Sequence, residues 1–229
     1  MLKKILFVLV LFPFMVFASY KECMVKPSYN ITINDQNVHI FNKKSDMLIL
    51  PDGEVIFNGK SIALGSQLQN VTTQFQQELR QHLPQLEQQT LNLLREVYEI
   101  FEKAIQTRLN NDSQLSSELK TLYKRLVNLL QQSIVTINNE TYFNYKNYNN
   151  LKKDGEAIGQ EIFLNVVGNS ILQLNIFKNY NAIKQISKKE WKLQKPKLKV
   201  FDEYVCSVIT HIDEQYQKIL IYLNQLNDK

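Results

Sequence analysis

The sequence lacks the residue patterns by which metal and cofactor sites are recognised. It has only three histidines and two cysteines among 229 residues. His39, His82 and His211 are far apart and form neither an HExxH motif nor a paired spacing. A zinc site needs three or four ligands that converge on one point. We therefore predict neither a metal nor a cofactor.

Recognisable catalytic motifs are also missing. The sequence contains no G-x-S-x-G motif, in which a nucleophilic serine sits on a sharp turn. Its carboxylate pairs, Asp202-Glu203 and Asp213-Glu214, are adjacent residues of a predicted helix. Such side chains diverge, whereas the two carboxylates of a glycosidase face each other across a cleft. No catalytic residue is predicted, and whether the protein is an enzyme stays open.

Long apolar runs are absent except at the amino terminus. Lys3 and Lys4 precede an apolar stretch from Ile5 to Phe17, which is shorter than the roughly 20 residues that a membrane-spanning helix needs. Val16-Phe17-Ala18 before Ser19 has the small or compact residues of a cleavage site. We predict a signal peptide over residues 1–18, with an uncleaved anchor as the alternative. The mature chain is then predicted to have no transmembrane span.

The two cysteines, Cys23 and Cys206, both follow the predicted signal peptide. An even number of cysteines in an exported chain indicates a disulfide. The alternative is a pair of buried free thiols. A disulfide would connect the beginning of the mature chain to a late helix.

Residues 28–64 alternate between apolar and polar side chains, as in Tyr29, Ile31 and Ile33. The runs are separated by Pro51-Asp52-Gly53, which suits a tight turn, and by Asn58-Gly59, the strongest short hairpin signal. The pattern predicts a meander of four or five short antiparallel strands.

From Ser66 onward the apolar residues recur every three or four positions, which is typical of amphipathic helices. We predict a helix to about His82, a start or kink at Pro84, and a break at residues 110–113. The following helix is predicted to continue through Ile134 and Ile137, and Thr141-Tyr142-Phe143 to return to the sheet. A further helical run is predicted over about 152–186, and the last helix over about 190–226. The whole predicts one α+β domain over 19–229, with a β-meander (28–64) packed on a bundle of long helices (66–226).

Several segments together resemble a known family. Cys23 follows the signal peptide, and the segment from Leu50 to Leu64 carries Leu-Pro-Asp-Gly-Glu-Val-Ile-Phe-Asn-Gly-Lys and then Ser-Ile-Ala-Leu. Residues 78–84, Trp191 and Val205-Cys206-Ser207 complete the pattern. This order resembles the YggN-like family of exported Gram-negative proteins of unknown function, over the whole mature chain. The resemblance implies a periplasmic location and no particular reaction. Residues 144–150 and the Lys-rich tract near Pro196 are interpreted as features of this chain itself.

The Lys-rich tract is the one candidate binding feature. Within residues 184–199 only Glu190 is acidic, whereas the basic and aromatic members are Lys184, Lys188, Lys189, Lys192, Lys195, Lys197, Lys199 and Trp191. Clustered lysines are attracted to anionic surfaces. The alternative is a solvated start of a helix in a Lys-rich chain.

These observations support three hypotheses about function. The first is a non-enzymatic periplasmic protein that binds an envelope component through its helical surfaces. The second is a hydrolase whose site is unrecognised, which would be supported if His211, Glu214 and Tyr216 or similar groups converged in a cleft. The third is a protein that binds anionic membrane surfaces through residues 184–199. Expected partners are an envelope protein or an anionic lipid surface, and not nucleic acid.

Overall fold

The predicted α+β fold is confirmed. The computed structural model describes residues 23–108, 113–151 and 180–227, so the predicted signal peptide and most of the predicted helix over 152–186 lie outside the described residues. The strands are β1 (Asn30–Ile33), β2 (Val38–Phe41), β3 (Asp46–Ile49), β4 (Val55–Phe57), β5 (Lys60–Ile62), β6 (Ile134–Ile137) and β7 (Glu140–Phe143). The helices are α1 (Ser66–Arg108), α2 (Ser113–Ser133) and α3 (Tyr180–Asn227), and residues 145–151 are also helical.

The strands form one antiparallel sheet in the order β5-β4-β3-β2-β1-β7-β6. Strands β1 to β5 are the predicted meander, and the β6–β7 hairpin extends it beyond β1, with Ile31 opposite Phe143. The predicted return of Thr141-Tyr142-Phe143 to the sheet is confirmed. The prediction that Ile134 and Ile137 continue a helix was wrong, because both lie in the edge strand β6.

The hairpin turns follow from residues that tolerate a positive φ. Asn58 and Gly59 have φ values of 50° and 78° between β4 and β5, as the two-residue turn that matches the twist of its strands requires. Asn138 and Asn139, with φ of 52° and 63°, make the same kind of turn between β6 and β7. The Asn-Gly signal therefore predicted the first hairpin, whereas the Asn-Asn signal of the second was missed.

Two helix boundaries differ from the predictions. Helix α1 continues through Pro84 without ending near His82, and α3 begins at Tyr180 rather than near Glu190, so that Pro196 lies well inside it. A proline removes one helical hydrogen bond and crowds the preceding turn. Next to Pro84, Leu83 is fully buried, so packing holds the helix together across the proline.

Helices α1 and α2 form an antiparallel pair. The rings of Tyr98 and Tyr123, whose positions are equally far from the α1–α2 connection, lie 4.9 Å apart between centroids. The predicted break at 110–113 falls mostly on residues outside the described part, and α2 begins at Ser113, the last residue of that segment.

The main core lies between the inner face of the sheet and the two long helices, in a region we call the sheet end. It comprises the seven strands, residues 66–86 of α1 and residues 208–223 of α3. The apolar side chains that form the core there are almost completely buried, and they include Ile31, Ile33, Val38, Ile40, Met47, Ile49, Val55 and Phe57 from the strands and Phe75, Leu79, Leu83, Ile212, Ile219 and Leu223 from the helices.

The helices continue past the sheet as a second region, which we call the helical arm. It comprises residues 87–108 of α1, residues 113–130 of α2 and residues 189–207 of α3. Leu93, Ala104, Ile105 and Leu115 are buried there, but most of the apolar side chains along the arm are only half-buried. In the part of the chain that the structure describes, no helix combines the length and the apolar character that crossing a membrane requires.

Candidate functional site

The arm portion of α3 presents an exposed stripe that is both basic and apolar. Lys189, Leu193, Pro196 and Val200 are spaced by four, three and four residues, and all four are exposed. This spacing places them along one side of a helix that turns every 3.6 residues. The exposed fractions of Leu193 and Val200 are 60% and 66%. Two large apolar side chains of the stripe therefore project into solvent.

Two more lysines flank this stripe. Lys192 and Lys199 are exposed, and each directly precedes one of the two apolar residues. Lys199 Nζ lies 3.8 Å from Glu203 Oε1. Glu203 is exposed, and the run of exposed positive charges stops before it. We call the set Lys189, Lys192, Leu193, Pro196, Lys199 and Val200 the basic-apolar face.

The other members of the Lys-rich tract do not share this face. Lys197 forms an ion pair with Glu96 of α1, and Lys195 is half-buried. The α3 backbone includes Lys184, Lys188 and Trp191, but their side chains lie outside the described part of the structure. The structure thus brings together three of the seven lysines, with two apolar residues that the sequence analysis did not single out.

A disulfide holds α3 next to the amino-terminal segment. Cys23 and Cys206 are joined, with their Cα atoms 5.5 Å apart, which is within the usual range for a disulfide. Cys206 lies six residues beyond Val200, at the boundary between the arm and the sheet end. The bond therefore limits how α3 can move relative to the first strand.

Two tyrosines, one near the amino terminus and one in α3, pack against each other in the core. The rings of Tyr29 and Tyr216 lie 4.1 Å apart between centroids, and Ser45 Oγ and the Tyr216 hydroxyl are 2.9 Å apart in a buried hydrogen bond. Burial, followed by the negative charge of nearby Asp213, raises the pKa of Tyr29 far above its ordinary value. Burial also raises the pKa of Tyr216, although the hydrogen bond with Ser45 opposes the shift. Both hydroxyls are therefore neutral structural groups at physiological pH.

A cavity of about 290 Å³ opens beside Tyr216, between the β2–β3 turn and the last turns of α3. Phe57 and Leu220 form its apolar wall, and Asn42, Lys44 and Asn224 contribute polar groups. The cavity is small and open, and one lysine is the only charged group among its lining residues. This lining contains no acid–base pair.

The three groups named as examples for the hydrolase hypothesis do not converge. His211 Nε2 lies 2.9 Å from Glu78 Oε2 of α1, whereas Tyr216 points to Ser45 and Glu214 is exposed. No cluster of three or more His, Cys, Asp or Glu side chains with the geometry of a metal site occurs among the described residues. His39, in turn, is hydrogen-bonded to Asp46 across neighbouring strands, at 3.1 Å.

The basic-apolar face was only half visible in the sequence. The lysines were noticed as a cluster, but Leu193 and Val200 were not distinguished from the other apolar residues of the helix. Among these, Leu198, Phe201 and Val205 recur at helical spacing and form a half-buried seam. The available signal was their separation of seven residues, out of phase with that seam. The cavity beside Tyr216 had no sequence signal, because Ser45 and Tyr216 are 171 residues apart.

Comparison with known proteins identifies one family. The sequence model of the protein of unknown function DUF2884 matches residues 23–217. Curated relatives are the uncharacterised protein YggN from Escherichia coli strain K12, from strain CFT073 and from E. coli O157:H7. Each is 21% identical over 213 residues, which cover 87% of this chain and 89% of the relative. No solved structure matches the chain.

Proposed function

The chain belongs to the DUF2884 family of proteins of unknown function, and from this premise we propose that it is a non-enzymatic binding protein of the cell envelope that acts through exposed faces of its helices. The proposal rests on the surface of α3. Large apolar side chains are exposed in both halves of this helix, namely Leu193, Val200, Ile221 and Tyr222. Isolated exposed apolar residues are common, but here four of them occur on one helix.

The length of α3 supports a role in binding. At a rise of 1.5 Å per residue, its 48 residues span about 70 Å. Leu193 and Val200 lie on the arm, whereas Ile221 and Tyr222 lie at the sheet end. A partner can therefore contact either region without disturbing the residues that form the core.

A periplasmic location is part of the same proposal. The predicted signal peptide over residues 1–18 supports export, and the Cys23–Cys206 disulfide fits an oxidising compartment, where such bonds persist. Mass spectrometry of the native protein recovered by osmotic shock tests this part. We expect an amino terminus at or near Ser19 and no alkylatable thiol. An intact Met1 together with two free thiols would refute it.

Photo-crosslinking in intact Gram-negative cells tests the binding role. A photoreactive amino acid replaces Leu193, Val200, Ile221 or Tyr222, one position at a time, in the full chain. Control positions are Lys120 and Lys124, which are exposed on α2. We expect a defined adduct at one or more of the four α3 positions and none at the controls. Adducts no stronger than those of the controls at all four positions would contradict the proposal.

A further inference from the structure

The basic-apolar face of α3 has the composition of a surface that binds a lipid bilayer. Leu193 and Val200 are its large apolar residues, and Lys189, Lys192 and Lys199 lie along and beside them. We infer that this face docks on a bilayer containing anionic phospholipids, an inference that rests on the proposed binding role and names its partner. The helix would lie along the bilayer surface, since no described helix is apolar enough to cross it.

The arrangement of the two residue types distinguishes a bilayer from an acidic protein. Apolar side chains of a surface helix enter the boundary between headgroups and acyl chains, and flanking lysines extend their charged ends to the phosphates. The three exposed lysines and the two large apolar residues lie within 12 consecutive residues, so one flat surface can reach them all. An acidic protein would attract the lysines equally well, but it would also need an apolar groove placed to receive Leu193 and Val200, whereas a bilayer offers an apolar layer beneath its headgroups over its whole surface.

The remaining contacts of α3 hold this face outward. Lys197 pairs with Glu96 of α1, and the half-buried seam residues Leu198 and Phe201 lie on other sides of the helix. The disulfide at Cys206 secures the helix shortly beyond Val200. Because these contacts already orient α3, binding requires no rearrangement of the core.

The surface ends where its charge changes sign. Glu203 is exposed one turn beyond Val200 and lies 3.8 Å from Lys199. A carboxylate is repelled by anionic headgroups, so we place the edge of the docking surface between Val200 and Glu203. The acidic residue nearest to the other end of the face, Glu190, is buried and is therefore not part of the exposed surface that would meet the headgroups.

Sedimentation with vesicles tests the inference on the full chain. The vesicles contain either phosphatidylglycerol mixed with phosphatidylcholine or phosphatidylcholine alone, at low and at high salt. We expect binding to the anionic vesicles only, weakened at high salt because exposed charges are screened. The variant Lys189→Gln/Lys192→Gln/Lys199→Gln should lower the partition coefficient by about 100-fold, at about fivefold per lysine.

A matched variant controls for net charge. Lys43→Gln/Lys60→Gln/Lys120→Gln removes the same charge from exposed positions elsewhere and should bind like the unmodified protein. Leu193→Ser/Val200→Ser keeps every lysine and should still lower binding by about tenfold, because each apolar side chain contributes on burial. Equal losses in the two lysine variants, equal binding to neutral vesicles, or no binding to any vesicle would each overturn the inference.

The outcome remains distinguishable from that of the proposed function. A photoreactive group at Leu193 or Val200 that captures lipid in cells supports docking on a bilayer. Capture of one protein at the same positions, without vesicle binding, overturns the lipid inference and leaves the binding role intact. Absence of both kinds of adduct at all four α3 positions counts against both.

Discussion

The sheet end and the helical arm use the same two helices in different ways. In the sheet end, Leu79 and Leu83 of α1 and Ile219 and Leu223 of α3 are completely buried. Further along α1, in the arm, Leu91 and Leu94 are only half-buried. The change occurs within single continuous helices, because only one part of each has the sheet as a partner.

This difference separates the residues that stabilise the protein from those available for binding. A helix packed between a sheet and a second helix has little free surface, whereas a helix in an arm leaves much of its circumference in solvent. The basic-apolar face lies in the arm, where Leu193 and Val200 are exposed and are not part of the core. We therefore expect substitutions of the buried residues of the sheet end to change stability and substitutions on this face to change binding.

The largest expected effect compares one substitution in the two regions of α1. Leu79→Ala removes a fully buried side chain and should lower the free energy of unfolding by about 4 kcal/mol, within the range for buried leucines. Leu94→Ala removes a half-buried side chain and should cost about 1 kcal/mol, because less transfer energy is lost and solvent fills the gap. Urea unfolding of both oxidised variants measures the difference. Equal losses of unfolding free energy in the two variants would show that side chains are packed as tightly in the arm as in the core.

The disulfide tests how strongly the two regions depend on each other. Cys23→Ser/Cys206→Ser removes a bond between residues 183 positions apart, and we expect a loss of about 3 kcal/mol, within the usual range for a native disulfide. Urea unfolding of the variant and of the reduced unmodified protein should agree. Reductant should leave the variant unchanged, which controls for other effects of the reagent. Equal stability of the reduced and oxidised unmodified protein would contradict the prediction.

Local chemistry made the sheet end the more predictable region. Asn58-Gly59 and Pro51-Asp52-Gly53 specify turns by themselves, and strands that follow each other pair without distant partners. Strand β6 was missed because Ile134 and Ile137 continue the helical spacing of α2. Their pairing with β7 depends on a sheet that the local sequence does not reveal, and it outweighs the helical pattern.

The candidate site was harder to predict because exposure depends on tertiary packing. The sequence showed where lysines cluster, but not that Lys197 pairs with Glu96 or that Lys195 is half-buried. The same limitation applies to Pro84, where a local rule allowed a new helix to start and the buried neighbour Leu83 favoured continuity. Which side of a long helix faces solvent is decided by its neighbours.

A smaller effect distinguishes two glycines within the sheet end. Gly53 and Gly59 both have positive φ, but a Cβ on Gly53 would lie 2.5 Å from the carbonyl oxygen of Gln69, whereas nothing lies within 4 Å of one on Gly59. Gly59→Ala should cost about 1 kcal/mol from the left-handed conformation alone. Gly53→Ala should cost about 2 kcal/mol more, because overlap with the backbone of α1 forces a shift. Equal costs in thermal unfolding would mean that the turn at Gly53 does not press against α1.

The smallest expected effect concerns the buried hydroxyl of Tyr29 and appears only at alkaline pH. The pKa of Tyr29 is raised in the folded state, chiefly by burial, whereas an unfolded tyrosine ionises near pH 10. The contribution of the Tyr29 hydroxyl to the free energy of unfolding is therefore fully present below about pH 10. It decreases as the pH rises above that value, because only the unfolded state releases the proton. Tyr29→Phe removes this loss.

The expected gain follows from this linkage. With an unfolded-state pKa near 10, ionisation stabilises the unfolded chain by about 1.4 kcal/mol at pH 11. Relative to the unmodified protein, Tyr29→Phe should therefore gain about that amount between pH 7 and pH 11, whatever the difference between the two proteins at pH 7. Urea unfolding of both proteins at the two pH values measures the gain, and the pH 7 pair corrects for altered packing against Tyr216. If the difference in unfolding free energy between the two proteins is the same at both pH values, the Tyr29 hydroxyl ionises as readily in the folded protein as in the unfolded chain. The sheet end would then be open to solvent at Tyr29, and its contrast with the half-buried arm would not hold at this position.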